Sequence, residues 1–96
     1  MESYKDIESV LKKNKTKLVQ KYPIKSIAIF GSWARNEPAK DSDIDLLIEF
    51  DGKIGIQFID LADEIESILG YKVDLVSRNA IKERYLKSIE DDLIYV

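Results

Sequence analysis

The sequence predicts an α/β (α+β) fold, a small mixed sheet covered by helices. Two observations carry this. Helix-like and strand-like runs alternate in the order α-β-α-β-α-β-α. The chain has 96 residues, 45% of them hydrophobic, which suits one modest core and a single domain over residues 1–96.

Ser3 followed by Asp6 has the form of a capping box and opens the first helix. Tyr4, Ile7, Leu11, Leu18 and Tyr22 then fall on one helical face, with lysines on the other. Pro23 ends this helix, because the residue before a proline is pushed out of the α region. Lys25 to Phe30 is a β-rich run that reads as a buried strand. It stops at Gly31-Ser32, and Trp33 to Asn36 make a short helical turn closed by Pro38. Asp43 to Phe50 is the second strand. Its alternation puts Asp43, Asp45, Leu47 and Glu49 on one face and Ile44, Leu46, Ile48 and Phe50 on the other. Asp51-Gly52 is a turn. Ile56 to Leu69 form the next helix, with Phe58, Ala62, Ile65 and Leu69 as its apolar stripe and Gly70 as its left-handed cap. Tyr71 to Val76 make the third strand. Asn79 is placed to cap a last helix from about Ala80 to about Ile89, and the closing Asp92 to Val96 read as a short strand or an apolar tail.

Composition narrows the chemistry. There is no cysteine, hence no disulfide, zinc-thiolate or thiol nucleophile. There is no histidine, which removes the commonest general base and transition-metal ligand. Carboxylates, lysine, arginine, hydroxyls and hard cations remain, and magnesium is the natural fit to that set. The net charge of −3 argues against nonspecific binding to nucleic acid. No stretch is apolar enough to cross a bilayer and the N-terminus lacks a signal-peptide core, so a cytoplasmic location is expected.

The segment that carries chemistry is Gly31 to Asp45, GSWARNEPAKDSDID. Gly31 lets the backbone approach a triphosphate, and Ser32 opens a helical turn whose free N–H groups can hold a phosphate. Arg35 falls one turn on, where it reaches a phosphate oxygen or pairs with a local carboxylate. Asp43 and Asp45 lie two apart on a strand, about 7 Å along the chain. Their side chains can converge on metal ions about 3.5–4 Å apart. Asp74 interrupts an apolar strand and is the best third ligand, since a buried carboxylate is costly unless paired or metal-bound. Trp33 reads as a packing anchor, with base stacking as the minority reading. Lys40 and Lys72 either add phosphate contacts or are simply solvated. A calcium loop is excluded by Leu46 and Gly52 at the positions needing glycine and glutamate, and a P-loop by the lack of Gly-Lys-Ser/Thr after Gly31.

Gly31-Ser32 with Asp43-Ile44-Asp45 resembles the signature of the DNA polymerase β-like nucleotidyltransferase superfamily. The fuller run, Gly31, Ser32, Ala34, Arg35 and Glu37 followed by Ser42 to Ile48, resembles its smallest members, the minimal nucleotidyltransferase (MNT) domains. Val73-Asp74-Leu75-Val76 is similar to the strand bearing that family's third acidic residue. Asn36 stands where the family usually has glycine, and asparagine tolerates the left-handed turn. The resemblance implies a minimal nucleotidyltransferase fold. It implies an antitoxin that moves AMP from ATP onto a tyrosine of a partner HEPN ribonuclease toxin. Asp43, Asp45 and Asp74 would then be catalytic and hold magnesium, two ions being expected, while Gly31, Ser32 and Arg35 hold the triphosphate. Two other readings stay open: neutralisation of the toxin by occlusion alone, and transfer to a small-molecule acceptor. The second is disfavoured, because little chain follows Val76 to build an acceptor domain.

Overall fold

Capping and hydrophobic spacing set the first helix, which packs across a small sheet. The computed structural model describes residues 2–39 and 41–96. Its elements are α1 (Tyr4–Lys21), β1 (Ile24–Phe30), α2 (Gly31–Ala34), β2 (Ile44–Phe50), α3 (Gln57–Leu69), β3 (Val73–Ser77), α4 (Glu83–Ile89), a 3-10 turn at Glu90–Asp92 and β4 (Ile94–Tyr95). The expected order holds, and the chain closes as a short strand.

The capping box at the start of α1 is present. Lys5 N–H donates to Ser3 Oγ at 3.2 Å, and the N–H groups of Glu2 and Ser3 donate to Asp6 Oδ2. Those bonds hold the Asp6 carboxyl below its ordinary value. At the other end, Lys21 Nζ and Tyr22 Oη both donate to Glu64 Oε1 of α3, at 2.8 and 2.9 Å. Burial, then this carboxylate partner, pushes the Tyr22 phenol up to about 12. The contact fixes α1 against α3.

The sheet has the order β3-β2-β1-β4. β1 runs antiparallel to β2 and to β4, while β2 runs parallel to β3, so the sheet is mixed. A parallel neighbour needs a crossover, and α3 supplies it. Alternation along β2 works as its sequence indicates. Ile44, Leu46, Ile48 and Phe50 join Ile27 and Ile29 of β1 under α1 and α3. Leu47 faces the other way and packs with Ala28, Phe30 and Leu86, so α4 covers that second face. No helix among the described residues is long and apolar enough to cross a membrane.

Several expectations need correction. β1 begins at Ile24, β2 begins at Ile44 and leaves Asp43 outside, and β3 spans Val73–Ser77. The short helix starts at Gly31 rather than Trp33. In α3 the buried line is Leu61, Ile65 and Leu69, with Phe58 and Ala62 at its margin. Gly70 does adopt the left-handed cap, at φ 75°. Asn79 does not cap α4, which starts three residues beyond Ala80 after Lys82. Its amide instead accepts from Phe50 N–H at 2.9 Å and donates to Phe50 O at 3.2 Å. Asparagine carries one donor and one acceptor on one face, which matches both backbone groups of a strand-end residue.

Ile48 is fully buried on the central strand. Ile48→Ala is expected to destabilise the protein by about 2–5 kcal/mol, read from the urea midpoint. A loss below about 1 kcal/mol would mean that the two helices close over the gap.

Candidate functional site

Strand register brings the acidic residues together. Phe30 of β1 stands opposite Asp45 of β2, and Asp45 stands beside Asp74 of β3. Adjacent strands are about 4.8 Å apart, so the three residues form one row across the sheet. By the alternation of β2, the row lies on the face that α4 partly covers. Asp43 is exposed on the approach to β2.

Gly31 follows Phe30 and turns the chain off the strand with φ +75°, a backbone conformation that suits glycine. A Cβ on Gly31 would overlap the Asp45 carboxyl group. The backbone of the Gly-Ser turn and one acid of the pair are therefore in direct contact range. Ser32 lies in the single turn of α2. Trp33 is buried at 5% exposure, its Nε1–H reaching Ser42 O at 3.4 Å and its ring meeting the edge of Tyr71 at 5.7 Å. That settles Trp33 as the packing anchor. Asn36 takes φ 60°, as the departure from glycine requires. Ala39 N–H donates to Ser42 Oγ at 2.8 Å, so the loop returns to β2 on a short, tied path.

The acids are electrostatically coupled. Burial first, then the charges of Asp74 and Asp43, push the Asp45 carboxyl from 3.8 to about 6, while Arg35 opposes the rise. Asp74 itself is exposed. The expectation that it sits in a buried strand at a burial cost is thus corrected: β3 is an edge strand, and this face of it is open. Arg35 pairs with Asp92 at 3.0 Å and more loosely with Glu37 at 4.0 Å. The expected pairing with a local carboxylate is realised only by Glu37 at 4.0 Å, the closer partner Asp92 being remote in sequence, and Arg35 still lies near enough to Asp45 to act on its charge. Lys72 is exposed, and its main-chain oxygen accepts from Ile44 N–H at 2.9 Å. Lys40 lies outside the described residues.

A divalent cation is implied by the acid pair, and its fit rests on donor chemistry. Among the described residues, no three acidic side chains stand close enough to enclose a metal by themselves. Magnesium does not require that. It is commonly held by one or two carboxylates, with water and substrate phosphates completing the octahedron. Asp45 carries negative charge that its acidic neighbours resist, and a hard cation would relieve that repulsion. The residues present fit magnesium in this shared mode.

Asp92 was not legible as part of the site. It lies in an acidic 3-10 turn far along the chain, and no spacing rule links it to Arg35. The contact of Phe30 with Tyr85, ring centroids 6.5 Å apart and edge to face, was equally unmarked.

The family model for the nucleotidyltransferase domain matches residues 11–96. A Methanocaldococcus jannaschii protein proposed to be a protein adenylyltransferase is 51% identical, over all of this chain and all of its own length. The protein adenylyltransferase MntA of Thermococcus cleftensis is 34% identical, over all of this chain and 98% of its own. Among solved structures, one proposed to be a minimal nucleotidyltransferase superposes with a TM-score of 0.73 at 32% identity, covering 91% of this chain and 85% of that one. A toxin-antitoxin structure with AMP-PNP superposes with a TM-score of 0.60 at 27% identity, covering 73% of this chain and 59% of that one.

Two outcomes are expected from this geometry. Gly31→Ala combines a left-handed backbone with an overlap on Asp45. It should cost about 2–3 kcal/mol of stability and abolish nucleotide binding, measured by denaturation and calorimetry. Asp45, with its acid raised to about 6 in the folded protein, favours folding when protonated. Its contribution is complete below about pH 4 and is lost as pH rises through about 6. In metal-free buffer, Asp45→Asn should therefore gain stability on the wild type by about 1–2 kcal/mol more at pH 7.5 than at pH 4, after allowance for solvent screening. An equal difference at both pH values would refute the coupling.

Proposed function

The chain belongs to the nucleotidyltransferase domain family, and from that premise we propose that it moves AMP from ATP onto a tyrosine of a partner HEPN ribonuclease toxin, acting as its antitoxin. The observation that carries the reading is the carboxylate row set against the Gly31 turn. Relatives named protein adenylyltransferases and the toxin-antitoxin likeness support the choice of a protein acceptor.

Each residue then has a task. Gly31 leaves room for the triphosphate beside Asp45, and the Ser32 hydroxyl and N–H hold a phosphate oxygen. Arg35, braced by Asp92, contributes charge on the phosphate side. Asp43, Asp45 and Asp74 would hold magnesium together with substrate phosphate oxygens, two ions being the expected number. When bound, magnesium neutralises the triphosphate and polarises the α-phosphorus. Asp74 is open to solvent and accepts the proton of the incoming tyrosine hydroxyl. The phenolic oxygen bonds to the α-phosphorus, the bond to the β-phosphate oxygen breaks, and pyrophosphate leaves. Residues 1–96 act as one domain in the cytoplasm, and a net charge of −3 supplies no electrostatic hold on nucleic acid.

The test is the intact mass of the co-expressed partner. Wild-type protein should shift it by one or more AMP units, and Asp43→Asn/Asp45→Asn should remove the shift while the complex still forms. A partner that stays unmodified yet silenced would replace transfer with occlusion.

A further inference from the structure

A second feature lies on the same face of the sheet. A groove of about 310 Å³ is lined by Lys82, Arg84, Tyr85 and Ser88. All four are exposed, and Lys82 and Arg84 enter no ion pair among the described residues. The Tyr85 ring is held on edge against Phe30 and remains 45% exposed. Phe30 is the first member of the row that continues to Asp45 and Asp74. The groove thus adjoins, through the Tyr85–Phe30 contact, the strand position that stands opposite Asp45.

We propose that this groove is a subsite for a nucleoside monophosphate, distinct from the triphosphate site at Gly31 and Ser32. Two cations that enter no ion pair among the described residues select an anion, and the exposed Tyr85 ring lining the same groove offers a stacking face for a base. The Ser88 hydroxyl, which donates to Tyr85 O at 2.6 Å, keeps its lone pairs for a donor on the ligand. The volume sits at the lower end of the range for ligand sites, about 300–1,000 Å³, and suits one nucleotide. In a protein of net charge −3, beside an acidic row, two such cations, Lys82 just before α4 and Arg84 within it, mark where an anion can rest.

The nucleotide can come from two sources. One is free AMP. The other rests on the function proposed above: an acceptor that already carries AMP presents that unit, and its ribose hydroxyls, at the mouth of the site. A hydroxyl oxygen there would bond to the α-phosphorus of a further ATP. The bond to the β-phosphate oxygen would break, pyrophosphate would leave, and the hydroxyl proton would pass to a carboxylate of the row.

The first experiment is titration of AMP in magnesium-free buffer, followed by chemical shifts. AMP should bind Asp43→Asn/Asp45→Asn protein, and Lys82→Ala/Arg84→Ala should weaken it about tenfold. Tyr85→Ala should weaken it too, but Tyr85 packs on Phe30, so the exposed charge pair is the deciding variant. Binding that ignores Lys82→Ala/Arg84→Ala, that vanishes with the two aspartates, or that is absent in the wild type overturns the subsite. The second experiment is the mass distribution of the partner with ATP and magnesium. If Lys82→Ala/Arg84→Ala stops at one AMP where the wild type continues, the carried nucleotide is the ligand. If the distribution is unchanged while AMP binding is lost, free nucleotide is the ligand. A wild type that adds no AMP refutes the proposed function, and the titration still decides the groove.

Discussion

The close approach of the Asp45 carboxyl to the Gly31 backbone is the constraint on which the site depends. It exists because β1 and β2 pair with Phe30 opposite Asp45, so the turn that leaves β1 passes directly over the acid. Only a residue without a Cβ can occupy that point. Shifting the register by one residue would turn Asp45 into the apolar layer under α1 and α3 and bring an isoleucine or leucine to the turn. The buried faces of β1 and β2 therefore do more than stabilise. Fully buried Ile27, Ile29, Ile44, Leu46 and Ile48 lock the register that aims the acid.

That arrangement has an energetic cost within the same strand. Asp45 is half-buried and faces two further acids, which is why its proton is held to about 6. A protein selected for stability alone would place a neutral residue there. The cost is tolerable because the apolar layer opposite is continuous, and because nothing buried in the described side chains is left without a hydrogen-bond partner. Local strain is likewise confined to the turn. Asn36 is the one non-glycine residue with positive φ among the described residues, and it lies within the loop linking the Gly-Ser turn to the acid pair.

The fold was largely legible because its signals are local. The Ser3–Asp6 box, the Pro23 stop, the period-two alternation of β2 and the Gly70 cap each depend on residues a few positions apart. The acid pair and the glycine were legible for the same reason. What could not be read is what the chain assembles at long range. Asp92 meets Arg35 across 57 positions, and Asn79 closes on Phe50 across 29, drawn from a cap role that its local sequence had promised. Asp74 stands beside Asp45, but the burial that its apolar sequence neighbours imply does not occur, because an edge strand with one open face leaves it exposed.

Helix α4 joins the stability of the second sheet face to the shape of the site. Seven residues are too few for a helix to persist alone, so its place is set by Leu86 packing on Ala28, Phe30 and Leu47. Those are the residues that neighbour the acid row on its own face. The helix therefore covers the apolar end of that face and stops short of the carboxylates. The 3-10 turn after it carries Asp92 back to Arg35, closing the β1 side of the site with a charge pair. β4 then seals the outer edge of β1, with Val96 N–H donating to Ile27 O at 3.0 Å. The face stays open over Asp74 on the edge strand β3.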